Sequence, residues 1–316
     1  MGNDNDNVRI LVIGAGVNGS VCATHLHDHG VDVTVLARGE RLEQIAREGI
    51  VIENPFSHRR TVTRIKTIGE LLPDDIYDYI LVVVRRNQIA GLLPVLAAND
   101  SPNVVFMTNN LAGPGEIIRA LGKQRPMMGF VFAGGKRDGD VIRAIGPARL
   151  LASPFGEVEG TVTPRLKRLV RVFSRAGLKA EISTNIVDWL ATHASGVAVI
   201  GPMVMKYQND IKALARSADD VRLTVTAMRE SLAVLKALGH KIVPASQRLL
   251  AVVPPSAMEF MIRWLFQSRL GEVGAAWHVS QAPDEMRALA EDLREMTIAS
   301  GLPVPAIRKV LDKGWS

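Results

Sequence analysis

The sequence predicts an α/β fold, with a doubly wound, mostly parallel sheet followed by an all-helical C-terminal half. Three observations carry this. Strand-like apolar runs alternate with helical periodicity through the first half of the chain; the first of these runs breaks straight into a glycine turn that opens a helix; and strand signals stop near Thr184 while helical spacing continues. Residues 9–13, 32–36, 79–84, 104–107 and 127–133 read as strands of the sheet, and 50–53 with 61–66 as a hairpin insertion. Helices fit between them at 18–29, 41–48, 88–98 and 115–121. Past Gly129 come Gly-rich turns and short strands as far as Phe155, a pattern that suits antiparallel pairing at one sheet edge. Leu166, Leu169, Val170 and Phe173 give a helix over 164–176 its apolar face, and 178–182 is a last short strand. Residues 186–203, 211–238, 257–267 and 285–300 then read as helices. The expected division is 1–184 for the α/β domain and 185–316 for the helical one.

Composition narrows the function classes. With 38 Lys+Arg against 32 Asp+Glu the chain carries a net charge of +6, but the bases are scattered apart from pairs such as Arg59-Arg60 and Arg85-Arg86, and aromatics are only 5%. Nucleic-acid binding calls for a basic stripe with interleaved aromatics, so no nucleic-acid partner is expected. The excess suits small anionic ligands. Cys22 is the sole cysteine, which rules out an intrachain disulfide and points to a reducing, cytoplasmic setting. The stretch from Ala194 to Met205 is too short for a membrane span and carries Ser195, Gly196, Gly201 and Pro202, so no membrane partner is expected. His25, His27 and His29 lack the carboxylates of a metal site, and none is predicted.

The strand 9–13 runs into Gly14-Ala15-Gly16-Val17-Asn18-Gly19. Between a strand and a helix, GxGxxG is the fingerprint of a Rossmann-type dinucleotide site: Gly14 for the tight turn, Gly16 for approach of the pyrophosphate, Gly19 for close packing of helix on strand. Val17 and Asn18 open the helix, where free N–H groups meet phosphate. The second strand ends Val35-Leu36-Ala37-Arg38, with no acid for a ribose hydroxyl. A guanidinium there forks onto a 2′-phosphate, so NADPH is the predicted cofactor, with Arg41 a second contact.

Several segments now fall into order: the glycine turn with Arg38, Leu81-Val82-Val83-Val84-Arg85-Arg86-Asn87-Gln88 after a strand, the pair Asn109-Asn110 after the next strand, Arg137-Asp138-Gly139 with the following Gly146-Pro147 to Arg149, and Gly301-Leu302-Pro303-Val304-Pro305 near the end. Together they resemble the ketopantoate reductase (2-dehydropantoate 2-reductase) family over nearly the whole chain. The resemblance implies a Rossmann domain, a helical C-terminal domain, NADPH, and hydride delivery to the carbonyl of a 2-oxo acid in an interdomain cleft. It implies that Arg85 stands at a cofactor-contacting Lys and Gln88 at its nearby Gln. Asn109 or Asn110 matches a substrate- and cofactor-contacting Asn; strand register favours Asn109 and the spacing to Gly113 favours Asn110. Counting back from Gly301, Glu285 falls on a substrate-binding Glu.

The chain departs from that family at its catalytic lysine. Two residues after Trp189 stands Ala191, and Ser195 occupies the place of the family's Asn four residues later; anchored on Pro202 instead, the lysine position becomes His193. Carbonyl reduction needs a proton for the developing alkoxide, and an imidazolium supplies one near neutral pH. His193, one helical turn after Trp189, is the expected donor; His278, in the loop before Glu285, is expected to reach the same substrate. The sequence therefore predicts an NADPH-dependent reductase of a small anionic carbonyl compound other than ketopantoate. An opine- or imine-type reductase and a non-catalytic NADPH-binding sensor are the alternatives. Ile262, Trp264, Leu265 and Phe266 suit either core or the face of a homodimer.

Overall fold

The structure, a computed structural model, describes residues 8–145 and 152–314, so the polar N-terminal tail and the segment Gly146-Pro147 to Arg149 lie outside the described residues. The chain divides into two compact units, one of Met1–Thr108 with Pro114–Ile186, the other of Asn109–Gly113 with Val187–Ser316.

The first unit is built on twelve described strands: β1 (Arg9–Ile13), β2 (Asp32–Leu36), β3 (Ile50–Glu53), β4 (Arg60–Thr63), β5 (Lys66–Ile68), β6 (Tyr79–Val82), β7 (Val104–Phe106), β8 (Pro126–Gly129), β9 (Gly134–Asp138), β10 (Val141–Ile145), β11 (Ser153–Glu157) and β12 (Ala180–Ile182). Helices α1 (Val17–Asp28), α2 (Gly39–Glu48), α3 (Ile89–Ala98), α4 (Gly115–Leu121) and α5 (Pro164–Arg175) connect them. Eight strands form the main sheet in the order β12-β11-β8-β7-β6-β1-β2-β5. Pairing is parallel from β5 to β8, with Val12 opposite Val35 on β2 and Leu81 on β6, and β11 joins β8 antiparallel. Residues Ile10–Ile13 are buried, as a central parallel strand covered on both faces requires. The chain leaves β1 for β2 on one side and later reaches β6 on the other. The carboxyl end of β1 is therefore a topological switch point, where doubly wound sheets bind ligands.

Two sequence expectations need correction here. The predicted strand 61–66 is two strands: β4 pairs with β3 in a second, four-stranded sheet, whereas β5 pairs with β2 in the main one. The strands after Gly129 do not all close the main edge either. Only β11 and β12 do so, while β9 and β10 pair with each other and, through β10, with β3. That second sheet lies over α1, where Ile142 and Ala144 bury against Val21. The predicted strand 127–133 also stops early, at Gly129, because the backbone there approaches the Phe155 ring and Phe130 N–H turns to the Pro154 carbonyl.

In the second unit α6 (Ile186–Lys206) is followed by α7 (Ile211–Arg216), α8 (Ala218–Ala237), α9 (Ala245–Val252), α10 (Pro255–Gln267), a short α11 (Arg269–Gly271), a π turn over Glu272–Ala276, α12 (Trp277–Gln281), α13 (Pro283–Ser300) and α14 (Pro305–Lys313). Ala194, Ala198 and Val199 of α6 share one apolar cluster with Met286, Leu289 and Leu293 of α13. The expected helix 211–238 breaks at Ser217, whose extended backbone and hydroxyl cap α8 at Asp220 N–H. On α10 the apolar stretch splits: Phe266 is core, whereas Phe260 and Trp264 are 71% and 67% exposed. Among the described residues no helix is long and apolar enough to cross a membrane.

The tightest packing sits at the glycine turn. A Cβ on Gly19 would lie 1.8 Å from the Gly14 carbonyl oxygen, while one on Gly16 would meet nothing within 4 Å. Gly19→Ala is therefore expected to lower stability by about 1–3 kcal/mol, as overpacking does, and Gly16→Ala to leave it nearly unchanged; thermal unfolding of the two variants checks the contrast.

Candidate functional site

The first unit presents an anion cradle at the end of β1. Gly14 has φ +112° and its missing Cβ would stand 2.2 Å from the Val83 carbonyl oxygen, so the turn can pass this close to the end of β6 only as glycine. Helix α1 starts from Gly16 without a side-chain cap, and Ser20 N–H is bonded back to the Gly16 carbonyl at 2.9 Å. That leaves the N–H groups of Val17, Asn18 and Gly19 as the unsatisfied donors of the first turn, at the positive end of the helix dipole. Gly16 is exposed with open space where a side chain would be. These are the features a dinucleotide pyrophosphate fits.

Cationic groups surround the turn. Arg38 is exposed and opens α2 just past β2, the strand beside β1. Arg41, expected as a second phosphate contact, instead braces the turn: its Nε donates to the Ala15 carbonyl at 3.2 Å, one terminal nitrogen to Ser20 Oγ at 3.3 Å and the other to Gln44. Burial, and then the like charge of Arg137, bring its pKa down to about 10, which still leaves it cationic at neutral pH. Arg137, on β9, was read from sequence only as part of a motif; its electrostatic effect on Arg41 was not legible there. Gln88 accepts a hydrogen bond from Arg85 N–H at 3.1 Å, closing the turn that follows β6.

The second unit gathers a polar cluster around Glu285. This residue lies in the first turn of α13 and is only 3% exposed. Its carboxylate accepts from Asn109 Nδ2 at 3.2 Å and faces His278 Nε2 at 3.6 Å. Taking a carboxylate out of water costs several kcal/mol, and removing one partner of such a pair costs about 3–5 kcal/mol; here an amide, an imidazole and a helix N-terminus offset the burial. Of the two asparagines left open by the sequence, Asn109 is the one bonded to Glu285. The side-chain oxygens of Asn109 and Asn110 are buried with no hydrogen-bond partner among the described residues. Such orphaned acceptors call for a donor from a ligand.

His278 is not in a loop. The π turn at Glu272–Ala276 carries the chain directly into α12, which places the ring beside Glu285. His193 stacks on Trp189, with ring centroids 5.3 Å apart, as their one-turn spacing predicts. Burial, and then the charge of His278, push its pKa down to about 4. His193 is thus a neutral imidazole at neutral pH, which corrects the imidazolium expected from sequence. Ser195, expected against substrate, is fully buried and donates to the Thr192 carbonyl at 2.9 Å. Lys206, further along α6, pairs with Asp220. Ala191 is buried and brings no ionisable group.

The lowered His193 value fixes a sign for pH dependence. As pH falls from about 6.5 to about 4, the unfolded chain takes up a proton at this position that the folded chain refuses, so stability present above that window is lost within it. Urea unfolding of the wild type is expected to weaken between pH 7 and pH 4, and His193→Asn to flatten that decline.

Residues 10–155 match the family described as Ketopantoate reductase PanE/ApbA. A 2-dehydropantoate 2-reductase of Pyrococcus horikoshii is 26% identical over 185 residues, covering 58% of this chain and 58% of that protein, so the match spans less than two thirds of the relative's length. Over the full chain the fold is similar to that of 2-dehydropantoate 2-reductase from Geobacter metallireducens, with a TM-score of 0.77, 16% identity and coverage of 97% of this chain and 98% of that one. It is equally similar to D-mandelate dehydrogenase in a ternary structure with NADH and anilino(oxo)acetate, with a TM-score of 0.77, 14% identity and coverage of 97% of both chains. Fold, glycine turn and sequence match agree in making residues 10–155 similar to the family described as Ketopantoate reductase PanE/ApbA.

Proposed function

We propose that this chain is an NADPH-dependent oxidoreductase that reduces the carbonyl of a small 2-oxo acid, other than ketopantoate, to the 2-hydroxy acid. The observation that carries the reading is the buried Asn109–Glu285–His278 constellation, with two orphaned amide oxygens beside it, in a chain that also builds an uncapped glycine cradle. The family match and the likeness to dehydrogenases of 2-oxo and 2-hydroxy acids support the same class.

The roles follow from chemistry. The N–H groups of Val17, Asn18 and Gly19 would hold the cofactor's pyrophosphate, and Arg38 its 2′-phosphate, with Arg85 and Gln88 at the turn after β6. Bound NADPH supplies the hydride. Arg41 keeps the turn in shape and, with Arg137, adds positive potential. Asn109 and Glu285 orient the substrate, and the polar cluster provides the proton that the developing alkoxide needs. A buried Ala191 in place of an ammonium argues against ketopantoate itself.

Cofactor choice is the sharpest point to test, because the mandelate dehydrogenase structure contains NADH. A charge-assisted hydrogen bond from Arg38 to the 2′-phosphate is worth about 1.5–3 kcal/mol, or roughly a ten- to hundredfold preference for NADPH. Steady-state kinetics with both cofactors should show that preference in KM, and Arg38→Ala should erase it by weakening NADPH alone. A wild-type KM for NADH equal to or below that for NADPH would contradict the assignment.

A further inference from the structure

Resting on the reductase reading above, we propose that His278 is the proton donor of this chain's reaction, placed for that task with its Nε2 facing the Glu285 carboxylate. The geometry separates the two imidazoles of the cluster. His278 has a carboxylate 3.6 Å from one ring nitrogen, and that carboxylate is itself fixed by Asn109. A carboxylate that holds one nitrogen of an imidazole sets the ring's orientation and stabilises its cation, which leaves the other nitrogen to do proton chemistry. Among the described residues Nδ1 of His278 makes no hydrogen bond.

Exposure points the same way. The His278 side chain is 37% exposed, so it can regain a proton from water after each turnover. His193 is packed face to face on Trp189, with an interplanar angle of 14°. Burial, and then the charge of His278, lower the pKa of His193, so His193 is the poorer proton donor of the two rings. A structural device also serves the assignment: π turns are rare and turn up often at functional sites, and this one delivers His278 toward Glu285 while the next residue, Val279, stays in the core.

The step balances. The carbonyl carbon gains a hydride, with its two electrons, from the reduced nicotinamide, and the C=O π pair moves onto oxygen. The Nδ1–H bond of His278 breaks as the O–H bond of the 2-hydroxy acid forms. The ring is left neutral with Nε2–H facing Glu285, and it takes its next proton from solvent, so one proton is consumed per turnover.

The test compares His278→Asn, His278→Gln, His193→Asn and Glu285→Gln with the wild type. NADPH oxidation is followed over a panel of 2-oxo acids, with NADPH affinity measured separately by fluorescence and the His278 ring followed by 15N NMR. Both His278 variants are expected to lose at least about 100-fold in kcat, with KM and NADPH affinity little changed and part of the rate restored by added imidazole. His193→Asn is expected to keep kcat within about tenfold of wild type, the size of effect left when no proton transfer is lost. The His278 resonances should move in Glu285→Gln. An active wild type with equally active His278 variants, or with His278 resonances indifferent to Glu285→Gln, overturns the assignment and leaves the reductase reading standing. A wild type that binds NADPH but reduces none of the acids overturns that reading and the assignment with it.

Discussion

Burial of the Glu285 carboxylate is the constraint on which the polar centre of the second unit depends. A charge that is 3% exposed must be met where it lies. The chain meets it with an amide from Asn109, 176 residues away in sequence, with an imidazole from α12, and with the N-terminus of its own helix. Each partner then acquires a fixed place. Asn109 turns its Nδ2 to Glu285 and is left with an oxygen that has no partner among the described residues, and His278 faces the carboxylate with one ring nitrogen.

In the first unit the controlling feature is the absence of side chains. Gly14 and Gly19 bring β1, β6 and α1 closer than any Cβ permits, and this leaves the uncapped start of α1 facing open space at Gly16. Positive charge concentrates around it. Arg41 stays bound to the turn it braces although burial and Arg137 both oppose its charge, a cost that a bound anion would relieve. The small β4-β3-β10-β9 sheet contributes to this by carrying Arg137 on β9 and packing over α1.

How much could be read in advance depended on the range of the interaction. β1 and β2 were legible to the residue because an apolar run bounded by a glycine turn is local information, and Trp189 and His193 were legible as a pair because one helical turn joins them. The fate of β9 and β10 was not, since period-two alternation shows that a strand exists without showing which sheet it joins. The break at Ser217 lay in a capping hydroxyl inside a run that otherwise reads as one helix. The lowered pKa of His193 depends first on its burial and then on His278, 85 residues later, and the helical placement of His278 on a π turn that no periodicity announces. Choosing between Asn109 and Asn110 likewise needed the distance to Glu285.

Hydride transfer from NADPH to a carbonyl carbon is the central claim, and isotope transfer tests it most directly. The chain is incubated with a 2-oxo acid panel and NADPH deuterated in turn on each face of the nicotinamide C4, and the products are read by mass spectrometry. The account predicts a 2-hydroxy acid carrying one deuterium at C2 from one face only. NADPH that binds yet remains unconsumed, with no deuterium reaching any acid, would contradict it.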